Sequence, residues 1–145
     1  MELAAGYSTA IEGDLATTDT SEREELRLRG IVRSTTEGPV SPAPDRASPI
    51  ILLGDRHSLI FHSGVGIEVR GAGLPDQLSF DFGASVDLVA EADDLGTARG
   101  RQRLSVRAGT EEGFWASKRL VIWCFASSSL ANDQGWTPTR LVPEA

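Results

Sequence analysis

Through the second half of this chain apolar and polar residues alternate with period two, the spacing of a strand that buries one face. The longest run goes from Leu78 to Ala90. In it Leu78, Phe80, Phe82, Ala84, Val86, Leu88 and Ala90 share one parity, opposite Ser79, Asp81, Gly83, Ser85 and Asp87. Such a length predicts a strand with a bend or bulge near Gly83. Ahead of it, IILL (50–53) and HSLIF (57–61) read as strands on either side of the turn GDR, and Val65, Ile67 and Val69 face away from Glu68 and Arg70. After it, EADDLGTARG is a loop, RQRLSVRA alternates again, and GTEEGFWAS is a second loop. RLVIWCFA is apolar on both faces, as a central strand covered twice would be, and a short TRLV closes the chain. Six or seven short strands with no evident helix between them predict an all-β fold, an antiparallel sandwich or barrel.

The first 49 residues follow a different pattern. Residues 1–24 hold scattered apolar positions (Leu3, Tyr7, Ile11, Leu15) among Ala, Thr, Gly and acid, too few to enclose a core, and read as an extended acidic arm. Ser21 and Glu24 have the spacing of a helix-starting capping box. Against that, ELRLRGIVR sets Leu26 and Leu28 two apart and contains Gly30, so residues 25–34 read as a lone strand. Residues 35–49 carry Pro39, Pro42, Pro44 and Pro49, four of the seven prolines, and read as an extended linker or strap. The sandwich domain is then expected over residues 50–145.

A chain of 145 residues can enclose one core without disulfides, and Cys124 is alone. Its start, MELAAGYSTAIEGDLATT, lacks the basic flank and apolar segment of a secretory signal, and no apolar run approaches the roughly 20 residues of a membrane span. A cytoplasmic or virion location is expected. The net charge of -7 is concentrated at the front. Residues 1–25 hold seven acids against Arg23, whereas the remaining 120 residues hold 14 acids and 13 bases. An acidic arm suits a basic or polar partner surface and repels a phosphate backbone.

Each candidate for chemistry meets a structural objection. In LIFHSGVGIEVRGAG, Gly64 and Gly66 are followed by Val69 where a dinucleotide-binding fingerprint needs its third glycine, and His62-Ser63 is preceded by Phe61 where a nucleophile elbow needs glycine. The only lysine, Lys118, follows no phosphate-binding loop. Asp55, His57 and His62 are candidate metal ligands, but on a strand positions 57 and 62 point to opposite faces. Cys124 within LVIWCF reads as a small buried hydrophobe. Asp93-Asp94 and Glu111-Glu112 lack the alternation of a calcium loop. No cofactor, metal or catalytic residue is therefore expected, and the reading is that of a non-enzyme.

The arginines are more informative. Arg99, Arg101, Arg103 and Arg107 share parity, as do Arg27, Arg29 and Arg33, and two basic stripes follow if both segments are strands. Such stripes pair with Asp81, Asp87 or Glu68 across a sheet, or dock an acidic partner. The near-neutral body argues against nucleic acid. Trp115 and Trp136 lie in expected loops and, with Tyr7, Ile11, Leu15, Arg99, Arg101 and Arg103, are the candidate partner-binding residues. In NDQGWTP, Asp133, Gly135 and Thr137 resemble part of the Asp-box hairpin of sialidase-like propellers; Ala131 and Pro138 depart from that pattern, and a turn is expected.

A compact β domain with an extended arm and no catalytic constellation resembles, in organisation alone, the decoration or cement proteins of tailed-virus capsids. That resemblance implies a non-enzymatic structural protein of a large assembly whose arm contacts neighbouring subunits. Two other readings stay open: a carbohydrate- or ligand-binding sandwich using Trp115 and Trp136, and a small metal-dependent enzyme around Asp55, His57 and His62.

Overall fold

A computed structural model describes residues 1–12, 23–64, 69–92, 96–127 and 138–142. The chain is mixed α/β, with two separate three-stranded sheets and four helices among the described residues, so the all-β expectation is overturned.

The first sheet is antiparallel. Strand β1 (Glu2–Glu12) pairs with β2 (Arg23–Thr35) in a long ribbon that sets Glu2 against Val32 and Glu12 against Arg23, with an irregularity between Leu3 and Gly6. A short β3 (Gly38–Val40) folds back on the end of β2. The lone strand expected near residues 25–33 thus lies within β2, and residues 2–12 are its partner. The ribbon meets the body at Ile31, which is fully buried and whose N–H donates to the Gly71 carbonyl at 2.6 Å.

The body runs β4 (Ile50–Gly54), α1 (Arg56–Ser63), α2 (Leu74–Phe82), β5 (Asp87–Ala90), α3 (Gly96–Thr110), α4 (Phe114–Ser117) and β6 (Leu120–Trp123). Its sheet is parallel, in the order β5-β4-β6. From β4 the chain moves to one side for β5 and then back past β4 for β6. Right-handed crossovers in opposite directions place the two helical connections on opposite faces of the sheet. Ile51, Leu53 and Val89 pack with Leu104 and Ala108 of α3 and with Phe114, while Leu52, of opposite parity and equally buried, faces the other side. Only β4 is enclosed in this way, which is why IILL is an unbroken apolar run.

Three expected strands are helices. HSLIF lies in α1, which starts at the Asp55 cap and stops at Gly64 in the left-handed region. The long alternating run is cut in two: its first half is α2, with Pro75 inside the helix start and Gly83 closing it at φ 68°, and only Asp87–Ala90 is strand. RQRLSVRA lies in α3, where burial of Arg101, Leu104 and Ala108 follows spacings of three and four and leaves Val106 exposed. RLVIWCFA does supply a strand, but β6 is at an edge, and Leu120, Val121 and Trp123 are exposed. TRLV (139–142) forms no strand.

The proline strap lies against the body. The Asp45 N–H donates to the Val86 carbonyl at 2.9 Å, and Lys118 Nζ donates to the carbonyls of Arg46 and Ser48. The same ammonium donates to Asp87, which also takes a two-pronged contact from Arg107 at 2.9 Å on each oxygen. This buried cluster joins β5, α3, the strap and the start of β6 at the amino-terminal end of the sheet.

Candidate functional site

In open parallel sheets ligands bind beyond the carboxyl ends of the strands, where successive connections leave in opposite directions. Here that point follows Gly54 of β4, between the ends of β5 and β6. The turn there is very tight. A Cβ on Gly54 would stand 2.4 Å from Ser58 Oγ and 2.8 Å from Ser58 Cβ, so glycine is what lets α1 rise directly off the strand.

Asp55 is the first residue past the strand, and its buried carboxylate has three neighbours. One oxygen accepts the His57 N–H at 2.9 Å and caps α1; the other accepts the Ala126 N–H at 2.8 Å, tying down the segment after β6. The His57 ring stands with Nδ1 3.3 Å from the capping oxygen, while 69% of that side chain is exposed. The approach is a charge contact without hydrogen-bond geometry, and it leaves most of the ring open to an approaching molecule. Cys124 lies beside this turn, half-buried, its N–H donating to the Leu53 carbonyl. Beneath it, Ser58 is 2% exposed, with a buried hydroxyl that finds no hydrogen-bond partner among the described residues.

His62 has a different role. Its Nδ1 contacts both oxygens of the fully buried Asp76, at 3.1 and 3.0 Å, and Asp76 also accepts the Gly73 N–H at 2.9 Å. That pair joins the end of α1 to the start of α2. Asp55, His57 and His62 therefore do not converge: both histidines are on α1, and each turns to its own carboxylate. No cluster of three or more His, Cys, Asp or Glu side chains suited to a metal ion occurs among the described residues.

The expected partner-binding residues are dispersed. Tyr7 and Ile11 are in β1, opposite Leu28 and Glu24; Leu15 and Trp136 lie outside the described residues, as do Asp133, Gly135 and Thr137. Trp115 packs edge-on against Phe114 and donates its Nε1–H to the Leu141 carbonyl at 2.7 Å, so it is a support of the core. The arginine stripe is redrawn, because α3 is a helix. Arg99, Arg103 and Arg107, four apart, share a face, whereas Arg101 is buried. Arg103 pairs with Glu91, and Arg107 reaches Glu111, holding that carboxyl below the usual glutamate range mainly through its hydrogen bond.

The Asp55 site is visible in sequence once the apolar run IILL, the glycine and the helix-capping aspartate are read together as a strand-to-helix turn. Taking HSLIF as a strand hides it. No helix among the described residues is long and apolar enough to cross a membrane. Compared with protein-family models, with curated proteins and with solved structures, the chain gives no match.

Proposed function

We propose that this chain is a hydrolytic α/β domain acting on a small ester-like substrate at the carboxyl end of its parallel sheet. His57 is the general base that takes a proton from an attacking water, and Asp55 stands beside its Nδ1. The observation that supports this most is the 3.3 Å approach of Asp55 to His57 Nδ1 at the topological switch point. The ring is open to solvent on its far side, and the carboxylate cannot move freely, because two backbone N–H groups hold it. The test is turnover of small chromogenic acetyl and phosphoryl esters. His57→Ala and Asp55→Asn should each lower the rate by about 100-fold or more while the fold is retained. Absence of turnover over the panel, or turnover indifferent to His57, overturns the reading.

A second reading, a non-enzymatic subunit of a large assembly such as a virion, draws on the β1–β2 ribbon. Among the described residues β1 pairs on one edge only, over 11 residues, and such an edge is a ready template for a neighbouring chain. The resemblance to capsid accessory proteins rests also on a compact β body, and the body is α/β. Deleting residues 1–12, which removes the open edge and keeps Ile31, separates the readings: the hydrolase keeps its turnover, whereas the assembly subunit loses its incorporation.

A further inference from the structure

Strand β6 has the composition of an enclosed strand and the position of an edge. Its pairing with β4 sets Val121 beside Ile51 and Trp123 beside Leu53, on the face that carries α3, and Leu120 beside Ile50 on the other. All three are exposed, Leu120 at 42%, Val121 at 43% and Trp123 at 40%. The strand is thus apolar and open on both faces. Its main chain is divided as well. The N–H groups of Leu120 and Cys124 donate to the carbonyls of Pro49 and Leu53 at 3.2 and 2.9 Å, so the residues between them of opposite parity, Val121 foremost, turn their N–H and C=O away from β4. Among the described residues β6 pairs with β4 alone. Arg119, exposed and without an ion pair among the described residues, leads into the strand with the parity of Val121 and Trp123. Phe125, of the same parity, packs its ring 5.1 Å from that of Trp123.

An apolar edge is a template for another strand. The strand that matches this one is apolar on both faces and brings an aromatic ring to where Arg119 stands, and β6 itself is such a strand. Two copies related by a two-fold axis normal to the sheet pair antiparallel, and each face of one copy continues the same face of the other. Residues directly opposite then share parity. Centred on Val121, the pairing sets Arg119 against Trp123 and Leu120 against Ile122; centred on Ile122, it sets Arg119 against Phe125 and Val121 against Trp123. In either register the guanidinium meets an aromatic ring, the outward groups of Val121 gain partners, and the two Arg119 side chains lie at opposite ends of the seam. We infer that β6 pairs antiparallel with β6 of a second copy of this chain, joining the two parallel sheets into one of six strands. The contact is made by the same surface of each copy, so it closes at a dimer. It is independent of whether the chain is a hydrolase.

The test is the mass of the full chain in solution, by sedimentation over a range of concentrations. The expected result is a mass that rises with concentration from 15.5 kDa to twice that value and stops there. Because the seam is apolar, high salt should leave the dimer in place. Val121→Lys should weaken dimerisation by about tenfold or more, since it sets an ammonium in the seam. Thermal melting monitors folding, and Leu120→Lys, on the opposite face, serves if the first change unfolds the chain. Amide exchange locates the contact. The Val121 N–H should exchange more slowly as the dimer forms, while the Cys124 N–H, already bonded to the Leu53 carbonyl, stays protected at every concentration. A monomer at every concentration, growth past the dimer, a dimer indifferent to the lysine substitutions, or Val121 exchange that does not follow dimerisation would overturn the inference.

Discussion

Lys118 and Asp87 meet at 2.9 Å with 3% and 1% of their side chains exposed, and between them they hold the strap to the amino-terminal end of the parallel sheet. Every donor of the ammonium has an acceptor, since Arg46 and Ser48 contribute carbonyls, and Asp87 is further neutralised by Arg107. Loss of Lys118 leaves Asp87 with Arg107 alone and takes the donor from the Arg46 and Ser48 carbonyls, which is costly in a buried cluster. Lys118→Met should therefore destabilise the domain by about 3 kcal/mol in urea unfolding. The change should also loosen the strap, seen as faster amide exchange at Asp45.

Helix α3 gives a test that a strand fails. On a strand Leu104, Val106 and Ala108 share a face; on the helix Leu104 is in the core and Val106 is exposed. Leu104→Ala should cost about 3 kcal/mol, and Val106→Ala should stay within about 0.5 kcal/mol. Equal costs for the two would contradict the helix.

The turn after β4 has no room for a side chain. Gly54→Ala should destabilise by about 2 kcal/mol, since its Cβ meets Ser58 at 2.4 Å. Ser58→Ala removes a buried hydroxyl that finds no partner among the described residues, and should be neutral or stabilising by about 1 kcal/mol. Differential scanning calorimetry of the two variants checks both signs.

Arg107 gives Glu111 a pH signature. Its guanidinium lowers the Glu111 pKa in the folded chain, so the contact contributes stability above the unfolded glutamate pKa and loses it as pH falls through the folded value. Carboxyl resonances followed by NMR should place the Glu111 midpoint below that of an ordinary glutamate, and Arg107→Gln should return it upward. Unchanged midpoints would contradict the contact.

How much of this was legible in sequence depended on which signal was allowed to decide. IILL reads as a strand from its apolar run, and in β4 both of its faces prove to be covered, whereas RLVIWCFA, apolar in the same way, lies at the sheet's edge. The run from Leu78 to Ala90 misled, because Leu78, Phe80 and Phe82 alternate with polar residues although Phe82 is exposed. Its stop and start signals were the better guide: Pro75 just inside, Asp76 reaching back to the Gly73 N–H, and Gly83 just past the end describe a helix without reference to hydrophobic period. In α3 the arginines at 99, 101, 103 and 107 supplied a false period of two, while Leu104 and Ala108, four apart, carried the true one. The site was concealed for the same reason, since Asp55 gains its meaning from the helix it caps.

The account turns on Asp55 and His57, and the ring nitrogens of His57 report on the pair most directly. Nitrogen-15 NMR of the neutral imidazole should show the proton on Nδ1 and Nε2 bare, and Asp55→Asn should shift the balance toward the Nε2–H form. A His57 ring whose neutral form carries its proton on Nε2 in the native chain, and which does not respond to that substitution, would contradict the contact of Asp55 with His57.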